Sequence, residues 1–110
     1  MENQIQSQPQ VQPQTQNFVL PVPCRVVLVR DRSLWAFAVK YVVTANRKFI
    51  GFLKNGNQIV FETTFANNVV TARSLFGVNQ SITFTVPYGA SYVEIHFKGT
   101  KFNTNKFIFR

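Results

Sequence analysis

The side chains able to do chemistry are few. The chain has one histidine, His96, one cysteine, Cys24, and one aspartate, Asp31, and of its glutamates only Glu62 and Glu94 fall in strand-like apolar stretches. Glu94 and His96 stand two residues apart, so on an extended strand they share a face and can touch. Two carboxylates such as Glu62 and Glu94 are what a glycosidase needs, but nothing around either supports that pairing. A Ser-His-Asp triad would have to take both His96 and Asp31, and no serine lies in a nucleophile motif. Cys24 and His96 supply too few ligands for zinc within one chain. No Walker A, GxGxxG or EF-hand pattern occurs. We therefore expect no enzyme, no cofactor and no metal site, with His96 structural or facing solvent and Cys24 packed as a small hydrophobe.

Binding chemistry is better represented. Lys plus Arg number 12 against 4 acids, a formal charge of +8, and every base lies after residue 17. Such a field draws in polyanions or acidic protein surfaces. The candidate polyanion-binding residues are Arg25, Arg30, Arg32, Arg47, Lys48, Lys54, Lys98, Lys101, Lys106 and Arg110. Two stretches interleave bases with aromatic rings: Arg47, Lys48 and Phe49, and the tail with Lys98, Lys101, Phe102, Lys106 and Arg110. Trp35 and Tyr41 are further candidates for stacking.

The first 17 residues form a separate arm, and residues 18–110 the basic domain. Seven glutamines (Gln4, Gln6, Gln8, Gln10, Gln12, Gln14 and Gln16) occupy every even position, with Pro9 and Pro13 both at odd ones. Without aromatics the arm has no core of its own. It reads either as a Gln/Pro-rich tail or as an extended tether. In the second case the glutamines line one face, and the missing proline donors fall on one edge only. That leaves the other edge intact for docking on a neighbour's sheet.

The elements that must position these residues are strands. Past Phe18 the chain runs in short β-branched and aromatic stretches split by Asn, Gly and Pro, which predict strands near 24–30, 34–43, 48–54, 57–65, 68–76, 81–86, 91–98 and 105–110. Asn55-Gly56 carries the signature of a type I′ hairpin turn. Such a hairpin sets Phe52 against Ile59 and Ile50 against Phe61 on one face, with Leu53 on the other. Residues 34–43 are apolar on both faces and suit a central strand, because Trp35, Phe37, Val39 and Tyr41 favour one. A helix capped by Asp31 or Ser33 is the alternative there. Ile82, Phe84 and Val86 point inward, as do Val93, Ile95 and Phe97, then Phe107 and Phe109. Pro87 suits the second position of a type I turn. Eight strands at this spacing make an all-β domain, a small β-sandwich of jelly-roll or Ig-like kind, with a compact barrel as the other possibility.

The single cysteine excludes a disulfide scaffold. The longest apolar run, Leu34 to Val39, is far short of a membrane span, so we expect no membrane partner. The opening residues Met1-Glu2-Asn3-Gln4 lack the features of a signal peptide. We therefore expect a virion or intracellular, cytoplasmic location, and Asn79-Gln80-Ser81 as a chance sequon.

The expected function is non-catalytic. The leading reading is a structural or assembly subunit of a larger particle, such as a virion or phage capsid, coat or decoration component. It would dock on other subunits, as a homo-oligomer or shell, through its arm and apolar surface. Twelve phenylalanines exceed what so small a core requires, which leaves some for interfaces. The alternative is a single-stranded nucleic-acid-binding protein using a basic, aromatic-rich face. A third is an inhibitor or adaptor that holds an acidic partner.

Overall fold

The computed structural model describes residues 17–34, 39–75 and 77–110. Eight strands follow in order: β1 (Val19–Asp31), β2 (Tyr41–Ala45), β3 (Lys48–Leu53), β4 (Gln58–Phe65), β5 (Asn67–Arg73), β6 (Asn79–Thr85), β7 (Tyr92–Lys98) and β8 (Lys101–Phe109). They build two four-stranded sheets, β4-β1-β7-β8 (sheet A) and β3-β2-β5-β6 (sheet B). The fold is thus an all-β sandwich. Every ladder is antiparallel except β1 with β7. Among the described residues there is no helix, so none is long and apolar enough to cross a membrane.

Period-two alternation fills the space between the sheets. Cys24, Val26 and Leu28 of β1, Tyr41, Val43 and Ala45 of β2, Ile82 and Phe84 of β6, and Val93, Ile95 and Phe97 of β7 form one buried cluster. Tyr41, Phe97 and Phe102 stack edge to face in a chain, with ring centroids 4.7 and 5.0 Å apart. Cys24 is buried among these side chains, and burial pushes its thiol pKa up.

Several sequence expectations are corrected. β3 and β4 are not a hairpin, because they belong to opposite sheets. The turn between them exists, closed by the Asn57 N–H donating to the Lys54 carbonyl at 3.0 Å. Only Gly56 has positive φ, 75°. That is the dihedral pattern of a type II turn, whose twist splays strands apart, whereas type I′ needs positive φ at both central residues. With the pairing gone the facing inverts: Leu53 is fully buried and Phe52 lies outside. The type I′ turn lies one connection earlier, at Asn46 (φ 52°) and Arg47 (φ 71°), where Ala45 pairs with Lys48. Asn-Arg is a weaker signature than Asn-Gly.

The 34–43 run is not a single strand. Leu34 is an exposed bend and pairing begins at Tyr41, while Trp35 and Phe37 lie outside the described residues. In β8 the core residue is Phe102. Phe109 is exposed, and Phe107 is half-buried against Phe84. At Pro87 the hydrogen bond runs from the Ala90 N–H to the Pro87 carbonyl, so proline opens the turn, and Gly89 at φ 86° makes it type II.

Candidate polyanion-binding face

The sheets divide the charge between them. The strands of sheet B and their connections contain no aspartate or glutamate, and they carry exposed Lys40, Arg47, Lys48, Lys54 and Arg73. Asp31, Glu62 and Glu94 all belong to sheet A. This segregation cannot be read along the chain, since it depends on which strands share a sheet.

On sheet A the carboxylates are engaged locally. His96 Nδ1 lies 2.9 Å from Asp31 Oδ1, and Nε2 lies 2.6 Å from Glu94 Oε2. A carboxylate only accepts, so this placement favours the imidazolium, which can donate from both ring nitrogens. Burial opposes that charge, but the hydrogen bonds to Glu94 and Asp31 outweigh it and raise the His96 pKa. Glu94 also accepts the Tyr92 hydroxyl at 2.7 Å. The bonds from His96, then Tyr92, hold its pKa below the ordinary value against the effect of burial. Tyr92 is raised in turn, first by that same bond. The expected contact of Glu94 with His96 is therefore present, and Asp31 joins it. With both nitrogens committed to carboxylates, the ring is not poised as a base for a nucleophile.

The ten candidate bases are scattered by the fold. Arg30 is contradicted as a surface residue, being only 1% exposed. Its even position on β1 puts it on the core face, whereas Arg25 faces out. The Arg30 guanidinium donates to the carbonyls of Val39 and Leu53 and lies 4.7 Å from the Tyr41 ring centroid. Burial lowers its pKa. Arg25 pairs in register with Glu62, and Arg110 lies over the Tyr92 ring at 4.6 Å, so both belong with the carboxylate-bearing sheet. Lys106 is exposed on edge strand β8.

The remaining candidates divide between the two ends of the sandwich. Arg32, Lys54, Lys98 and Lys101 crowd one end of the sandwich. Asp31, Lys98 and Lys101 lie side by side in sheet A there. The Tyr41 hydroxyl, donating to the Gly99 carbonyl at 3.1 Å, ties the two sheets at that end. Lys40 and Arg73, which the sequence reading passed over, join this group through the register of Val42 with Arg73. Arg47 and Lys48 lie at the opposite end.

Aromatic rings complete the face. Phe49 and Phe52 remain 59% and 54% exposed on the outer side of β3, their centroids 5.5 Å apart. Lys40 Nζ sits 5.2 Å from the Phe52 centroid. A bulge in β3, where Val43 pairs with Gly51 but Thr44 with Phe49, turns both rings outward. Beside them the outer rows carry Thr44, Thr71 and Ser81, with Thr71 and Ser81 hydroxyls 2.9 Å apart. Of the stacking partners expected elsewhere, Tyr41 and Phe102 are corrected, since both are buried; Trp35 lies outside the described residues.

The arm-docking glutamines, Gln4 to Gln16, also lie outside the described residues. The residue that follows them does not. Asn17 bonds the Asn67 backbone twice through its side chain, accepting at 2.9 Å and donating at 2.8 Å, and the Phe18 carbonyl accepts from Ala66. Next to this root an asparagine network holds the β2–β3 and β4–β5 turns together. Asn46 donates to Asn68 Oδ1 at 2.9 Å and accepts the Val69 N–H at 2.9 Å, and Asn68 is itself buried. The network locks Asn46 and Arg47 into left-handed backbone, which for arginine costs roughly 1–2 kcal/mol.

Compared with models of protein families, with curated proteins and with solved structures, the chain gives no match.

Proposed function

We propose that this protein binds single-stranded nucleic acid across the outer face of sheet B. The observation that carries this reading is the pair of exposed rings, Phe49 and Phe52, on a sheet without carboxylates and flanked on the same face by Lys40 and Arg73. Unstacked bases lie on exposed rings at about 1–3 kcal/mol each, while the cations track the phosphates. A duplex hides its base faces and has less use for such rings. The test is fluorescence anisotropy with a labelled oligonucleotide at several salt concentrations. Affinity is expected to fall with salt by a log–log slope of about −0.7 per phosphate neutralised. The double variant Phe49→Ala, Phe52→Ala is expected to weaken binding by roughly ten- to a hundredfold with little loss of stability. Binding that ignores salt, or that survives loss of both rings, refutes the proposal.

The second reading, a structural subunit of a virion, capsid or similar particle that docks through its arm, is favoured by a different observation. Phe18, Val19 and Val22 at the arm's root, and Tyr88 beside them, are exposed apolar residues at one end of the sandwich. In this reading the surface is buried by a second copy. Sedimentation of the full chain against residues 17–110 tests it: the full chain forms a defined oligomer and the shortened chain does not. A full chain that sediments as a monomer at all concentrations removes this reading.

A further inference from the structure

Beyond Phe49 the outer face of sheet B ends in a half-open cleft of about 630 Å³, bounded by the Asn46-Arg47 turn on one side and the Asn17–Asn67 contact on the other. Its floor is Val69 and Thr83, the next outward-facing row after Thr71 and Ser81. The volume falls in the ordinary range for small-ligand sites. We propose that this cleft is a nucleotide subsite, with Arg47 holding a phosphate and the base resting on Val69 against the Asn67 amide. The proposal rests on the nucleic-acid reading above and assigns it a specific site.

Three observations carry it. The first is the strain at Arg47. Among the described residues, only Asn46 and Arg47 hold positive φ without being glycine, whereas the turns at Gly56, Gly89 and Gly99 use glycine there. Strained backbone persists where the surroundings over-determine it, and it concentrates at functional positions. Here the asparagine network does the constraining, and the result is an arginine lining the cleft. The second is the chemistry of the lining. No carboxylate lines it, and Asn67 Oδ1 accepts from the Thr85 hydroxyl at 2.7 Å, which orients the amide nitrogen as the group left to donate. An anion with a flat, hydrogen-bonding ring attached is what such a lining recognises. The third is continuity. Lys48 and Phe49 follow Arg47 directly, so a strand stacked on Phe49 brings its neighbouring phosphate to Arg47, about two strand residues or roughly 7 Å away.

The same chemistry is offered by a free nucleoside monophosphate and by one nucleotide of a longer strand, and the experiment separates them. Arg47→Gly removes the guanidinium and relieves the backbone. It is expected to raise the thermal midpoint while weakening oligothymidylate binding by about tenfold and flattening the salt slope by about 0.7. Thymidine monophosphate titrated into the labelled full chain is expected to shift the Val69 and Thr83 amide resonances in wild type and not in Arg47→Gly. A lower midpoint in Arg47→Gly overturns the strain argument and with it the proposal. Unchanged oligonucleotide affinity in Arg47→Gly, with Phe49→Ala still impaired, overturns the subsite and leaves the face intact. If wild type binds no oligonucleotide, the face reading fails. The monophosphate titration then decides the cleft alone, shifts at Val69 and Thr83 sustaining it and their absence ending it.

Discussion

His96 meets a carboxylate at each ring nitrogen, and its stability effect runs in the opposite direction with pH from that of Glu94. The His96 pKa is raised in the fold. Its stabilising contribution is therefore complete below the unfolded value of about 6.5 and is lost as pH rises through the folded value. The Glu94 pKa is lowered. Its contribution is present above about 4.3 and is lost as pH falls through the folded value. Thermal midpoints measured across pH are thus expected to peak between roughly pH 4.3 and 6.5, and His96→Gln should remove the decline on the alkaline side. At Arg30 the expectation is structural. Arg30→Ala leaves the carbonyls of Val39 and Leu53 without their donor and opens a void beneath Tyr41. It should cost about 3 kcal/mol in urea unfolding. Arg25→Ala, on the same strand but exposed, should stay within about 0.5 kcal/mol.

At the level of elements, turn geometry decides the sheets. The Asn55-Gly56 signal correctly marks a tight turn, but its glycine serves a type II turn that carries the chain from sheet B to sheet A. Asn55 is occupied otherwise, its side chain accepting the Ser33 N–H at 2.9 Å. Gly56→Ala must hold φ near 75°, with its Cβ 3.4 Å from the Arg32 guanidinium. We expect a loss of about 1–2 kcal/mol by urea titration, with the far-ultraviolet spectrum retained. Alternation within strands was legible: Ile82 and Phe84 inward with Thr83 and Thr85 outward needs no tertiary knowledge. β3 was misread because its register came from a supposed partner, β4, that lies on the other sheet.

The whole molecule segregates its carboxylates, one layer carrying all three described ones and the other none, while both layers carry bases. If the acid-free layer meets the polyanion, charge reversal should be position-dependent. The pair Lys40→Glu, Arg73→Glu is expected to weaken oligonucleotide binding by well over tenfold at low salt, because each reversal replaces an attraction with a repulsion. The pair Arg25→Glu, Arg110→Glu, on the carboxylate-bearing sheet, is expected to have a much smaller effect in the same titration. Equal losses from both pairs would mean that the net field alone governs binding and that no face is preferred.

By itself the sequence determined the all-β class, the approximate strand positions, the basic field and the scarcity of catalytic groups. These follow from local period, turn residues and counts, which do not depend on what packs against what. Where both parities of a strand carry apolar or charged residues, the tertiary structure alone decided which faces in, separating buried Arg30 from exposed Arg25 and buried Leu53 from exposed Phe52. A period of two names the inner face only where one parity is polar throughout; in β1 and β3 it is not, and there the opposing sheet makes the choice. Strand order likewise put every described carboxylate on one sheet and left the other to Phe49, Phe52 and the lysines and arginines around them.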